Sequence, residues 1–149
     1  MDWLIVIIAG ITGTALMTLF INIWTYITGF EYRVPSILGT LVTMSTRPSG
    51  KVSGNKAVVL IGYIFHFLIG IFFSIVYYLL WLYLIGRPEW GHLIYLGCGS
   101  GLVAAIFWYS ILKLHPLAPK IKLPSYLFLI FSGHFIFTAG VIASWMIMK

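Results

Sequence analysis

Charge is what this sequence has least of. Asp, Glu, Lys and Arg make up 8% of its 149 residues, against about 25% in soluble domains. So few charges cannot cover a water-facing surface, which excludes a soluble globular enzyme. Acids are scarcest: Asp2, Glu31 and Glu89 are the whole set. The single cysteine, Cys98, allows no intramolecular disulfide and no Cys-based zinc motif. An aromatic content of 17% excludes intrinsic disorder.

What is present is hydrocarbon: 61% of residues are hydrophobic and the mean hydropathy is +1.05. Four apolar runs are long enough to cross a bilayer, which takes about 20 helical residues. They cover residues 3–28, 57–85, 92–112 and 124–148, and none alternates like a barrel strand. The predicted fold is all-α: one integral-membrane domain, a four-helix bundle of two parallel helical-hairpin repeats. The first run has no basic n-region and exceeds the apolar stretch of a cleavable signal, so it is expected to stay as an anchor.

Lys and Arg set the expected orientation. Arg33, Arg47, Lys51, Lys56, Lys113, Lys120 and Lys122 follow spans one and three, whereas only Arg87 and Lys149 lie on the other side. Both basic loops are therefore expected in the cytoplasm, with both termini outside and the protein in the inner membrane. Interfacial aromatic belts are expected to match: Trp3, Tyr77, Tyr78, Trp81, Tyr83, Trp90 and Trp145 outside, Trp24, Tyr26, Trp108, Tyr109 and Tyr126 inside.

The halves carry matching motifs. Arg33-Val34-Pro35-Ser36-Ile37-Leu38 parallels Lys122-Leu123-Pro124-Ser125-Tyr126-Leu127, and His66-Phe67 parallels His134-Phe135. The offsets are 89 (122 minus 33) and 68 (134 minus 66), so the first half holds 21 extra residues, mostly Gly39 to Lys56. Two-span copies keep one orientation and would be related by a pseudo-twofold along the membrane normal. Pro35 is expected to open an interfacial helix over 35–44, resting Leu38, Leu41 and Val42 on the headgroup boundary. Residues 45–56 are expected to form a solvated loop. Its Gly50-Lys51 lacks the earlier glycine and strand–helix setting of a phosphate loop.

Ionisable groups inside hydrocarbon mark candidate sites. His66 lies nine residues beyond Ala57 and His134 ten beyond Pro124, so both are expected about 14–15 Å deep on parallel helices. Gly62, His66, Gly70 and Ser74 recur every four residues, and Thr138 follows His134 by four. Thr14, Thr18 and Asn22 form a comparable interior polar stripe on span one, and Gly97, Gly101 and Ala105 a small-residue stripe on span three. Such stripes are also how membrane helices ordinarily pack, with buried histidines bonded across helices.

Three functions remain open on these residues. A non-enzymatic binding or accessory subunit needs only the packing interior. A b-type haem electron carrier would use His66 and His134 as axial ligands, with Gly62, Gly70 and Thr138 around the macrocycle. A proton or ion transporter would use the His/Thr/Asn interior, although no mid-span carboxylate exists. An intramembrane hydrolase has no selected Ser–His pair: Ser132 and His134 point about 200° apart on one helix, and Ser74 with His134 would have to meet across helices. His92 and His115 are expected at wet interfaces. The run from His115 to Lys120, with Pro116 and Pro119, reads as a rigid turn. The partners expected are the lipid bilayer and a homo-oligomer or larger membrane complex, with no nucleic acid.

The order of features resembles a group of small bacterial inner-membrane proteins of unknown function. It is carried by the Gly/Thr-rich first span (Ala9 to Thr18), the Pro-containing basic loop, Gly62-x-x-x-His66-Phe67, Leu114-His115-Pro116 and Gly133-His134-Phe135. The resemblance implies a four-helix inner-membrane protein and supplies no activity.

Overall fold

The computed structural model describes residues 2–149 and contains, among them, helices and no strand. The helices are α1 (Trp3–Thr28), α2 (Val34–Val42), α3 (Lys56–Leu80), α4 (His92–Leu114) and α5 (Leu123–Met148). A π-helical turn, Trp81–Ile85, extends α3. Counting that extension, four helices are long and apolar enough to cross a membrane. Each of the four expected runs is therefore helical, with small shifts at the ends.

Local sequence explains the helix boundaries. Gly29 ends α1 in a left-handed conformation, φ 69°, with its N–H on the Thr25 carbonyl. Asn55 caps α3 by accepting from the Ala57 N–H. Pro35 and Pro124 each lie in the first turn of a helix, where a missing N–H costs nothing. The two Pro-Ser motifs thus share one local role.

The helices pack in the spatial series α4–α5–α1–α3–α2. Glycines set the close approaches. A Cβ on Gly10 would meet the Ile71 backbone of α3, and one on Gly13 would meet the Phe137 carbonyl of α5. On α5, Gly140 rests on Gly13. Thus α1 is gripped from two sides. The outward faces carry exposed Leu4, Leu19, Leu60, Leu68, Ile94 and Phe128.

The short helix α2 departs from expectation. Leu38 and Leu41 are buried, and only Val42 of the expected headgroup-facing trio is exposed. Every residue from Val34 to Leu41 is buried. The cause is a glycine pair: Gly39 faces the Val58 carbonyl, and Gly62 faces the Pro35 carbonyl. Backbone meets backbone, and α2 sinks onto α3 instead of lying outside it.

All seven basic residues of the two basic loops share one end. These loops are joined, because the Lys120 N–H donates to the Gly50 carbonyl at 2.8 Å and Thr46 Oγ1 donates to the Leu117 carbonyl at 2.5 Å. The 45–56 segment is therefore a stitched turn as well as a polar one. Nearby, Arg33 grips Glu31 through two nitrogens, at 2.5 and 2.8 Å. At the opposite end Lys149 Nζ lies 2.6 Å from Asp2 Oδ2, and that hydrogen bond holds the Asp2 carboxyl below the usual carboxylate range.

The aromatic belts are only partly peripheral. Trp3, Tyr83, Trp90, Trp24, Tyr26 and Tyr109 are exposed, but Tyr77, Trp81, Trp145, Trp108 and Tyr126 are buried. Several find internal partners. Trp81 Nε1 donates to His92 Nδ1 at 2.9 Å, which also buries His92, expected to be wet. Tyr126 stands edge-on to Trp108, with centroids 5.2 Å apart.

Candidate functional site

The packing series leaves α3 and α4 as neighbours that do not close along their length. They meet at the end away from the basic loops. There Tyr77 OH lies 3.2 Å from the Leu96 carbonyl, 2.7 Å from Ser100 Oγ and 2.8 Å from Thr138 Oγ1. One phenol therefore ties α3 to α4 and α5. Tyr77→Phe is expected to lower stability by about 1 kcal/mol, the scale of a single interhelical hydrogen bond in a membrane protein. Ser100 and Thr138 keep their own-helix carbonyls, Leu96 and His134. Reversible unfolding in mixed micelles measures the difference, and a loss above about 3 kcal/mol would show that Tyr77 does more than bond.

Below this clamp the helices part and enclose a cavity of about 290 Å³. Ile69, Phe72 and Phe73 of α3 face Val103, Ala104, Phe107 and Trp108 of α4 across it. Val34 and Leu38 of the sunken α2 border it too, and His66, His134 and Thr14 are among its lining residues. Phe72 is 60% exposed and Val103 59%, so the cavity opens sideways onto the apolar exterior.

The two histidines are brought to this one cavity. His66 is 7% exposed and His134 6%. Their tautomers follow from their partners. Thr18 Oγ1 donates to the Thr14 carbonyl at 2.7 Å, so it accepts from His66 Nε2 at 3.1 Å. Thr14 in turn donates to the Gly10 carbonyl. The Ile130 carbonyl can only accept, so His134 Nδ1 carries the proton in their 2.8 Å bond. His66 Nδ1 and His134 Nε2 are left without a hydrogen-bond partner among the described residues. Phe73 stands edge-on to His134 at 5.5 Å and fixes that ring from the side.

The other expected site residues have different places. Gly62 is filled by α2, since a Cβ there would lie 1.8 Å from the Pro35 carbonyl oxygen. Gly70 borders the cavity, yet its own Cβ position is taken by Thr14 Oγ1 at 1.7 Å. Neither glycine leaves room for a macrocycle, because a neighbouring helix already uses the space. Thr138 belongs to the Tyr77 cluster. Thr14 and Thr18 are buried as a stripe, but their protons return to their own helix. Asn22 Oδ1 is buried without a partner. Ser74 donates to the Val6 carbonyl at 2.8 Å and forms no dyad with His134.

A flat cofactor beside these histidines would have to displace α2 or α1 from Gly62 and Gly70, so the residues as packed do not fit haem. Among the described residues no cluster of three His, Cys, Asp or Glu side chains could hold a metal ion. Fold and site together define an all-helical protein with four helices of membrane-crossing length and a lateral, histidine-backed apolar cavity. No protein-family model matches the chain, nor does any curated protein or solved structure.

Sequence reasoning missed the cavity, the Tyr77 clamp and the Trp81–His92 pair. Ser100 stood between Gly97 and Gly101 of the small-residue stripe, which was the available sign of a helix contact there. Gly39 inside the nine-residue helix was the sign that α2 is approached closely.

Proposed function

We propose that this is a small multi-pass inner-membrane protein that binds an apolar molecule taken sideways from the bilayer, without chemistry of its own. The observation that carries this reading is the apolar cavity between α3 and α4, open beside exposed Phe72, Val103 and Phe107. Ligand pockets are mostly apolar with a few polar groups, and here the polar groups include two imidazoles. In this reading the apolar flanks face acyl chains and the seven-cation end faces the cytoplasm. The pairs α1–α3 and α4–α5 are the two repeated hairpins, with residues 39–56 the stretch added to the first. A homo-oligomer or a larger complex is served by the same apolar flanks.

Photolabelling in nanodiscs with a diazirine-bearing alkane tests this. Met17 and Leu38 are buried but border the cavity, so both are expected to take label along with the outer faces. Label confined to outer residues such as Leu60 and Ile94 would sink the cavity reading. In a Cys98→Ala background, Lys51→Cys is expected to react with an impermeant maleimide from the cytoplasmic side only.

A further inference from the structure

We propose that the cavity takes a lipid-soluble phenol or alcohol, an apolar body whose single hydroxyl donates to an imidazole; this rests on the cavity being a ligand site at all. The imidazole protons are already used. Thr18 holds the His66 Nε2 proton, and the Ile130 carbonyl holds the His134 Nδ1 proton. Each ring can therefore offer the cavity only a lone pair, and both rings are more than nine-tenths buried. A second proton on either ring would sit in an apolar wall without an acceptor, which is costly. An unpaired acceptor beside hydrocarbon is costly as well, and it is satisfied by a ligand that brings a donor. Ethers, esters and alkanes bring none. Trp108, also on the wall, carries an indole N–H with no partner among the described residues. A hydroxyl, which donates and accepts, suits this pair of needs. The carbonyl of an ester could use only the indole.

Size agrees with one ring or a short chain segment. An apolar cavity of about 150 Å³ takes benzene, and this one holds about 290 Å³. The sideways opening lets a longer tail remain outside.

Competition against the alkane label tests the proposal with a matched pair, 4-butylphenol and 4-butylanisole, in nanodiscs of one saturated phosphatidylcholine. At equal lipid-phase concentration the phenol is expected to protect Met17 and Leu38 at about tenfold lower dose than the anisole, the effect of one buried hydrogen bond. His134→Leu and His66→Leu remove the two lone pairs in turn, and in at least one variant the ratio is expected to fall to near one. The anisole reports in each variant whether the cavity still forms, and the wild-type ratio stands without any variant. Equal protection by both compounds in the wild type would overturn the proposal and leave the cavity reading intact. A preference that survives both substitutions would also overturn it, because the imidazoles would not be its source. Absence of label at Met17 and Leu38 would overturn the proposal and the cavity reading together.

Discussion

Gly62→Leu is expected to dislodge α2 and to destabilise the protein by about 3 kcal/mol or more, the upper range for overpacking. The distances explain why. A Cβ at Gly62 would lie 1.8 Å from the Pro35 oxygen, 2.7 Å from the Pro35 carbonyl carbon and 2.8 Å from the Gly39 nitrogen. These are main-chain atoms of a helix, so no side chain can rotate out of the way. Gly39→Ala attacks the same seam from the other side, with its Cβ 2.1 Å from the Val58 oxygen. Because both changes break one contact, the double variant should lose little more than Gly62→Leu alone. Gly99→Ala is the control: nothing lies within 4 Å of that Cβ, and stability should stay level or rise slightly. Reversible unfolding in mixed micelles measures all four. A Gly62→Leu protein as stable as the wild type would show that α2 is not held by this seam.

Ala104→Trp is expected to abolish alkane labelling at Met17 and Leu38 while the fold persists. Ala104 is buried on α4 and borders the cavity. The indole adds a large apolar volume where empty space exists, so it replaces a ligand rather than displacing a neighbour. Outer-face labelling at Leu60 and Ile94 should be unchanged, which separates blockage from misfolding. Val103→Trp, at an exposed position on the rim, should weaken labelling less, because the larger ring can turn outward. Undiminished labelling of Met17 in the Ala104→Trp protein would place the route to Met17 elsewhere. Gly62→Leu should also alter labelling at Leu38, since that residue belongs to the helix being dislodged.

Much of the local structure was legible in the sequence. Hydrocarbon runs gave the four long helices, because a segment with no charges must hydrogen-bond its own backbone when it leaves water. Pro35 and Pro124 opened helices as expected. Most of the fourfold-spaced series on the first and second spans also pointed inward: Gly10, Thr14 and Thr18, and Gly62, His66, Gly70 and Ser74, are buried, while Asn22 is half-buried. Equal depth for the two histidines rested on counting residues, and both border one cavity.

Several belt residues turn inward for an instructive reason. A Trp or Tyr near a helix end has two ways to satisfy its polar atom, headgroup water or an internal partner. Tyr77 and Trp81 took the internal one, and composition cannot distinguish the two. The same ambiguity hid the seat of α2. A short apolar helix next to a basic loop can lie on a headgroup boundary or sink between longer helices, depending on whether a facing glycine lets it approach.

Composition and periodicity alone determined how many long helices there are, where they start, which end is basic and which faces are small or polar. These are properties of each segment against its solvent, and one segment's sequence is enough to set them. The order of the helices around the bundle was decided only by the tertiary structure. So were the parting of α3 from α4, the seat of α2 and the tautomer of His66. Each of these depends on atoms from different segments meeting within a few ångströms: Gly62 against Pro35, Thr18 against His66, Tyr77 against Ser100. Such meetings are decided by steric fit between surfaces that no single stretch of sequence contains.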